Sequence, residues 1–154
     1  MSTWPTARAA LASHLEGLQI TVSGLEQETL KALEWAPSGR QDATLWPYGF
    51  VFPTGETVTR ASGVRRTTRE LVFRLMLSPT GAETTLEVLQ KRYDAWKEAL
   101  KDSMDSAITI DGAATVFGEQ SFGELEPYDD IDKGWGFEMR LGALQFHEAK
   151  TFSG

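Results

Sequence analysis

Cysteine is absent from the 154-residue sequence, which excludes disulfides, thiolate metal sites and cysteine nucleophiles together. That absence fits a chain folding in a reducing cytoplasm. Histidine is nearly as scarce: only His14 and His147 occur. Neither has a second histidine or a carboxylate at ligand spacing, so both are expected at surface or edge positions. No HExxH, GxSxG, Walker or GxGxxG pattern is present. Long apolar runs are missing too, with none near the ~18 residues needed to cross a bilayer. The opening MSTWPTARAALASHLEGL holds one basic residue, Arg8, and no uninterrupted apolar stretch, so no secretory leader is expected.

What is present points to a folded domain. Apolar residues make up 41% and charged residues 24%, with five tryptophans, a balance that buries a core rather than staying disordered. The length suits one domain over residues 1–154. A net charge of −7 argues against nonspecific nucleic-acid binding, which needs a net basic face.

The charge is unevenly spread. From Arg60 to Arg74 there are five arginines (Arg60, Arg65, Arg66, Arg69 and Arg74) against one acid, Glu70. From Glu119 to Asp132 there are six acids and no base. Opposite patches of this kind steer encounter and set register between subunits, although pairing within one chain would use the same residues.

Periodicity supplies the elements. Trp4, Ala7, Leu11, Leu15 and Leu18 form a helical stripe, with Thr3 as candidate N-cap and Pro5 in the first turn, predicting a helix over Pro5 to Gly17. Ile20 and Val22 are placed in a short strand. Gly24 to Pro37 suits either helix or strand, and is read as a strand ending at Pro37, followed by a polar loop over Ser38 to Ala43. Phe50 to Phe52 is a strand stopped by Pro53. Leu71, Phe73, Leu75 and Leu77 alternate with Glu70, Val72, Arg74 and Met76, the period-two mark of a strand with one buried and one partly covered face. Glu56 to Arg60 is expected to pair with it through a tip near Ala61 to Val64.

Thr84 and Glu87 suggest a capping box opening a long helix. Its stripe is Leu86, Leu89, Tyr93, Trp96, Leu100 and Met104, and Lys91, Lys97, Glu98 and Lys101 occupy the wet face. Ile108 and Ile110 lead into the turn signal Asp111-Gly112, with Thr115 to Phe117 pairing back. SFGELEPY reads as a strand stopped by Pro127. WGFEMRLGALQFHE reads as a last strand with a bulge at Gly142 to Ala143.

The candidates for chemistry thin out on inspection. Counted from Asp130, an EF-hand loop would place ligands on Gly134 and Leu141, which have no side-chain oxygen, so Tyr128 to Gly134 is a solvated loop. Glu119, Glu124 and Glu126 could serve acid–base chemistry, but no nucleophile or oxyanion donor accompanies them. The tryptophans are expected as core and edge anchors, with Trp4 alone a possible interface residue. No cofactor or metal is expected.

In order, the helix, EWAP (Glu34 to Pro37), FVFP (Phe50 to Pro53), GVRRTTRELVFRLML, the long helix, ITIDG (Ile108 to Gly112) and LGALQFHE resemble the tail terminator (tail completion) proteins of long-tailed bacteriophages. The likeness covers most of the chain. It implies an α+β fold, with an antiparallel sheet packed against an N-terminal helix and one long central helix in a single domain. It also implies a non-enzymatic virion protein: a ring, typically of six subunits, at the head-proximal end of the tail tube. Such a ring ends tube polymerisation and joins tail to head, with tube and connector proteins as partners and assembly in the host cytoplasm. The family brings no catalytic residues.

Charge then nominates the subunit or tube interface: Arg60, Arg65, Arg66 and Arg69 against Glu124, Glu126, Asp129, Asp130 and Asp132. Arrayed head to tail, such patches close into a ring. A tube subunit, a head–tail connector, or a small α+β ligand-binding domain or enzyme are the alternative classes. No membrane association and no specific nucleic-acid binding are expected.

Overall fold

The strand that alternates most cleanly in sequence is the longest in the fold. In the computed structural model, which describes residues 4–35, 46–52, 54–82, 84–105, 114–115, 119–130, 133–146 and 150–151, β6 runs over Val64–Pro79. Before it come α1 (Trp4–Leu15), β1 (Gln19–Ile20), β2 (Glu28–Thr29), β3 (Lys31–Leu33), β4 (Tyr48–Phe52) and β5 (Glu56–Ala61). After it come α2 (Leu86–Asp105), β7 (Ala114–Thr115), β8 (Gln120–Phe122), β9 (Glu126–Tyr128), β10 (Gly134–Phe146) and β11 (Lys150–Thr151).

The main sheet follows the order β3-β4-β6-β10, with β7, β8 and β9 along the far edge of β10. β5 and β11 flank the N-terminal half of β6, and β1 and β2 form a separate ribbon. The fold is α+β, as expected, and its sheet is mostly antiparallel. β3 and β4 are the exception and run parallel, Lys31 opposite Tyr48 and Leu33 opposite Phe50. The long connection over residues 34–47 makes that possible, since parallel neighbours need a crossover of a dozen or more residues.

Alternation decides the packing. Leu71, Phe73, Leu75 and Leu77 of β6 join Phe137, Met139 and Leu141 of β10 in one core with Leu11 and Leu15 of α1 and Leu89, Tyr93, Trp96 and Leu100 of α2. The other parity is buried as well. Tyr48, Phe50 and Met76 pack on the sheet's second face with Phe52, Trp46 and Tyr128 around them. The sequence left that face only partly covered; burial of Val72, Arg74 and Met76 shows it closed. β10 slips register between Leu141 and Leu144, the bulge expected at Gly142 to Ala143, and again between Trp135 and Gly136.

Several expectations shift by a residue or two. Gly24 to Pro37 is not one strand: β2 and β3 divide it, and Leu30 between them is buried. The cap of α2 is Thr85, whose Oγ1 accepts from the Val88 N–H at 3.2 Å, while Glu87 pairs with Lys91 at 3.2 Å instead of turning back to Thr84. Leu86 thus lies at the helix's first position and is 65% exposed, off the core stripe. SFGELEPY splits into β8 and β9, and Pro127 sits inside β9 opposite Trp135 instead of ending a strand. Only an edge strand tolerates proline there.

His14 is no free surface residue, because its Nε2 lies 2.8 Å from the Ser103 carbonyl and ties α1 to the end of α2. Trp35 anchors no core: it is 64% exposed, with the Arg8 guanidinium 3.7 Å over its ring. Burial lowers the Arg8 pKa, and the charge of Glu34 opposes that shift. Thr115 pairs with Gln145 of β10. Thr3, Pro37 to Ala43, Pro53, Ile108 to Gly112, Phe117 and His147 lie outside the described residues.

β4 lies so close to β6 that Gly49 has no room for a side chain, and an added Cβ would run into the Phe73 ring. Gly49→Ala is expected to cost about 1–3 kcal/mol through overpacking, read as a lowered midpoint in thermal or denaturant unfolding.

Candidate functional site

The sequence placed its hopes on a basic hairpin and an acidic loop, and the structure treats the two differently. β5 and β6 form the expected hairpin, in register from Glu56 opposite Arg69 to Ala61 opposite Val64. The two-residue turn is Ser62-Gly63, with φ of 52° and 75°. Both residues occupy the left-handed region that a tight hairpin of this twist requires. All six residues of β5 are exposed, so the hairpin's outer strand buries neither face. Arg60 lies on this exposed strand and Arg65 is half-buried opposite it. Arg66 and Arg69 belong to the same stretch of β6.

Arg74, counted with the hairpin arginines in sequence, belongs to a different structure. It is 5% exposed, on the second face of the sheet. Its Nη1 donates to Asp130 Oδ1 at 2.8 Å, and its Nε and Nη2 donate to Glu138 Oε2 at 3.3 and 3.2 Å. Its guanidinium also lies 4.0 Å from the Tyr128 ring centroid and 4.6 Å from that of Phe52. Burial works against the charge of Arg74, but the hydrogen bonds and charges of Asp130 and Glu138 outweigh it and raise the pKa.

The pairing read across subunits is therefore made within the chain for Asp130. Glu124, Glu126 and Asp129 remain exposed beside it, and Asp132 lies outside the described residues. Asp130, engaged by Arg74, is also a poor candidate for a cation ligand. Among the described residues no group of three or more His, Asp or Glu side chains is arranged to hold a metal ion. No described helix is long and apolar enough to cross a membrane.

A second polar centre escaped the sequence reading. Arg92 of α2 makes a two-pronged ion pair with Glu28 of β2, at 2.8 and 2.6 Å. It also donates to Ser78 Oγ at 2.7 Å and to the Leu77 carbonyl at 2.8 Å. The signal was there. Arg92 stands three residues after Leu89 and four before Trp96, on the apolar stripe, where a cation needs a buried partner. Beside the pair opens a groove of about 690 Å³ whose walls include Leu25, Glu26, Trp46, Pro47 and Val88. Its central cation is already held by four contacts from the chain itself.

The chain matches no protein-family model, and comparison with curated proteins returns no match.

Two outcomes test these centres. Glu28→Gln removes the anion from a mostly buried arginine and is expected to cost about 1.5–3 kcal/mol, the range for hydrogen bonds to charged groups, measured by denaturant unfolding. Tyr128 tests the other centre. Burial, with the charges of Glu138 and Glu126, pushes its phenol well above the ordinary tyrosine value. The folded chain then keeps a proton that the unfolded chain releases above about pH 10. The stabilisation is complete below that pH and is lost progressively as pH rises from there through the raised value of the folded chain. Tyr128→Phe should flatten the alkaline fall in stability, followed by unfolding free energies from neutral pH upward; an unchanged slope would remove Tyr128 as its source.

Proposed function

We propose that this chain is a non-enzymatic, single-domain virion protein that caps the head-proximal end of a long-tailed phage's tail tube. As a ring, typically of six subunits, it ends tube polymerisation and presents the surface that joins tail to head. In this reading the sheet packs on the N-terminal helix and one long central helix, and the assembled protein resides in the tail.

The observation that carries the reading is the β5–β6 hairpin. Its outer strand is exposed throughout, while both sheet faces behind it are buried by the chain itself. An outer strand exposed along its whole length, beside a cluster of arginines in sequence, suits a contact with another molecule. The order of elements that resembles tail terminators supports the same reading. With Asp130 occupied by Arg74, the acids offered to a neighbour's Arg60, Arg65, Arg66 and Arg69 are Glu124, Glu126 and Asp129, with Asp132 beyond them in sequence.

The groove beside Arg92 is the competing observation for a ligand-binding domain. Its cation is saturated by Glu28, Ser78 and Leu77, leaving little to recognise a ligand.

The decisive experiment adds the purified protein to polymerising tail tubes. Growth should stop, with one closed ring at the tube end by electron microscopy. Arg65→Glu with Arg66→Glu should abolish capping while leaving the unfolding midpoint within a few degrees of the parent. Capping unchanged by the double reversal would remove the arm from the interface. Long polymers of the chain alone would identify a tube subunit instead.

A further inference from the structure

β5 is an exposed sheet edge whose two charged residues, Glu56 and Arg60, are of opposite sign. It lacks proline and a bulge, and among the described residues its only ladder is with β6. Edge strands of this kind invite another strand. The turn at Ser62-Gly63 decides which backbone groups are on offer. Ala61 and Val64 flank a two-residue loop, so they form a hydrogen-bonded pair. Bonding direction alternates along a strand. Ala61, Thr59 and Thr57 therefore direct their N–H and C=O groups toward β6, while Arg60, Val58 and Glu56 direct theirs outward.

The outward set is self-complementary. Two copies of β5 laid antiparallel about Val58 bring Val58 opposite Val58, and Glu56 of each copy opposite Arg60 of the other. All three pairs fall on residues whose backbone groups face the new partner, so the ladder closes without a mismatch. Side chains agree with it. On one face, two Glu–Arg pairs flank the Val58 contact, and Val58 is 37% exposed in the single chain. On the other, Thr57 meets Thr59 twice. Opposite charges, β-branched pairs and Thr–Thr pairs are the cross-strand combinations that stabilise antiparallel ladders.

We infer that the free chain forms a two-fold dimer by antiparallel pairing of β5 with β5 of a second copy, centred on Val58. The inference concerns the unassembled chain and does not rest on the ring reading. A closed two-fold contact occupies each arm once and cannot propagate.

Sedimentation of the purified chain over a concentration series tests it. The parent should move from monomer to dimer and no further. Glu56→Arg or Arg60→Glu sets like charges opposite each other twice and should weaken dimerisation on the order of tenfold. The double variant, E56R with R60E, should restore it. Arg60→Glu is the cleaner single change, because it places an anion across from Arg65 within the hairpin and so does not weaken the arm itself. Val58→Pro deletes an outward N–H without touching the ladder to β6, and should give a monomer with the parent's unfolding midpoint. A monomeric parent, a parent that assembles beyond the dimer, a dimer indifferent to these changes, or a double variant that stays monomeric would each overturn the inference. Tube capping by the parent is a separate readout, and either result can fail without the other.

Discussion

The pairing of β6 with β10 is the contact on which the remaining packing depends. Its register sets Phe137 opposite Leu75 and Met139 opposite Phe73, so that both strands turn the same parity toward α1 and α2. A slip of one residue would exchange the faces. If β6 moved, it would drive Arg74 into the helices and turn Phe73 away from them; if β10 moved, Glu138 and Phe137 would be exchanged in the same way. The arrangement is reinforced from the second face, where Arg74 of β6 reaches Glu138, its Cα partner on β10. The ion pair is thus a register mark as well as a contact, because no neighbouring register brings those two residues opposite each other.

The strongly periodic parts of the fold were legible in sequence, for a physical reason. The alternation from Glu70 to Leu77, the stripe from Leu89 to Leu100 and the slip at Gly142 each follow from one element meeting one surface. What escaped notice depended on pairs distant along the chain. Glu28 and Arg92, or His14 and Ser103, have no local pattern that announces their contact. Leu86 misled because the cap lies at Thr85 and not Thr84, which moves the leucine to the helix's first position and out into solvent. The arginine cluster was half understood. Composition grouped Arg74 with Arg60 and Arg65, yet burial separates a structural cation from those of the arm.

That separation changes where function is sought. The two most fully satisfied polar centres, Arg74 and Arg92, brace one strand against another and a helix against the sheet. A side chain committed to four contacts within its own chain has little left for a ligand. What the described residues offer outward is instead a strand edge, whose peptide groups at Val58 and Arg60 point away from β6. Recognition through backbone groups needs only a partner strand of matching length and alternation, which is why so plain a segment can be specific.

The two-residue turn at Ser62-Gly63 has a consequence for how the arm can change. Because the tip is closed by local geometry, adding two residues to each of β5 and β6 carries the turn outward by about 6.6 Å and returns every side chain to the face it had before. A single added residue would invert those faces or force a bulge. Reach can therefore lengthen in even steps without disturbing the core that anchors the arm, making the hairpin a ruler that evolution can adjust by whole divisions.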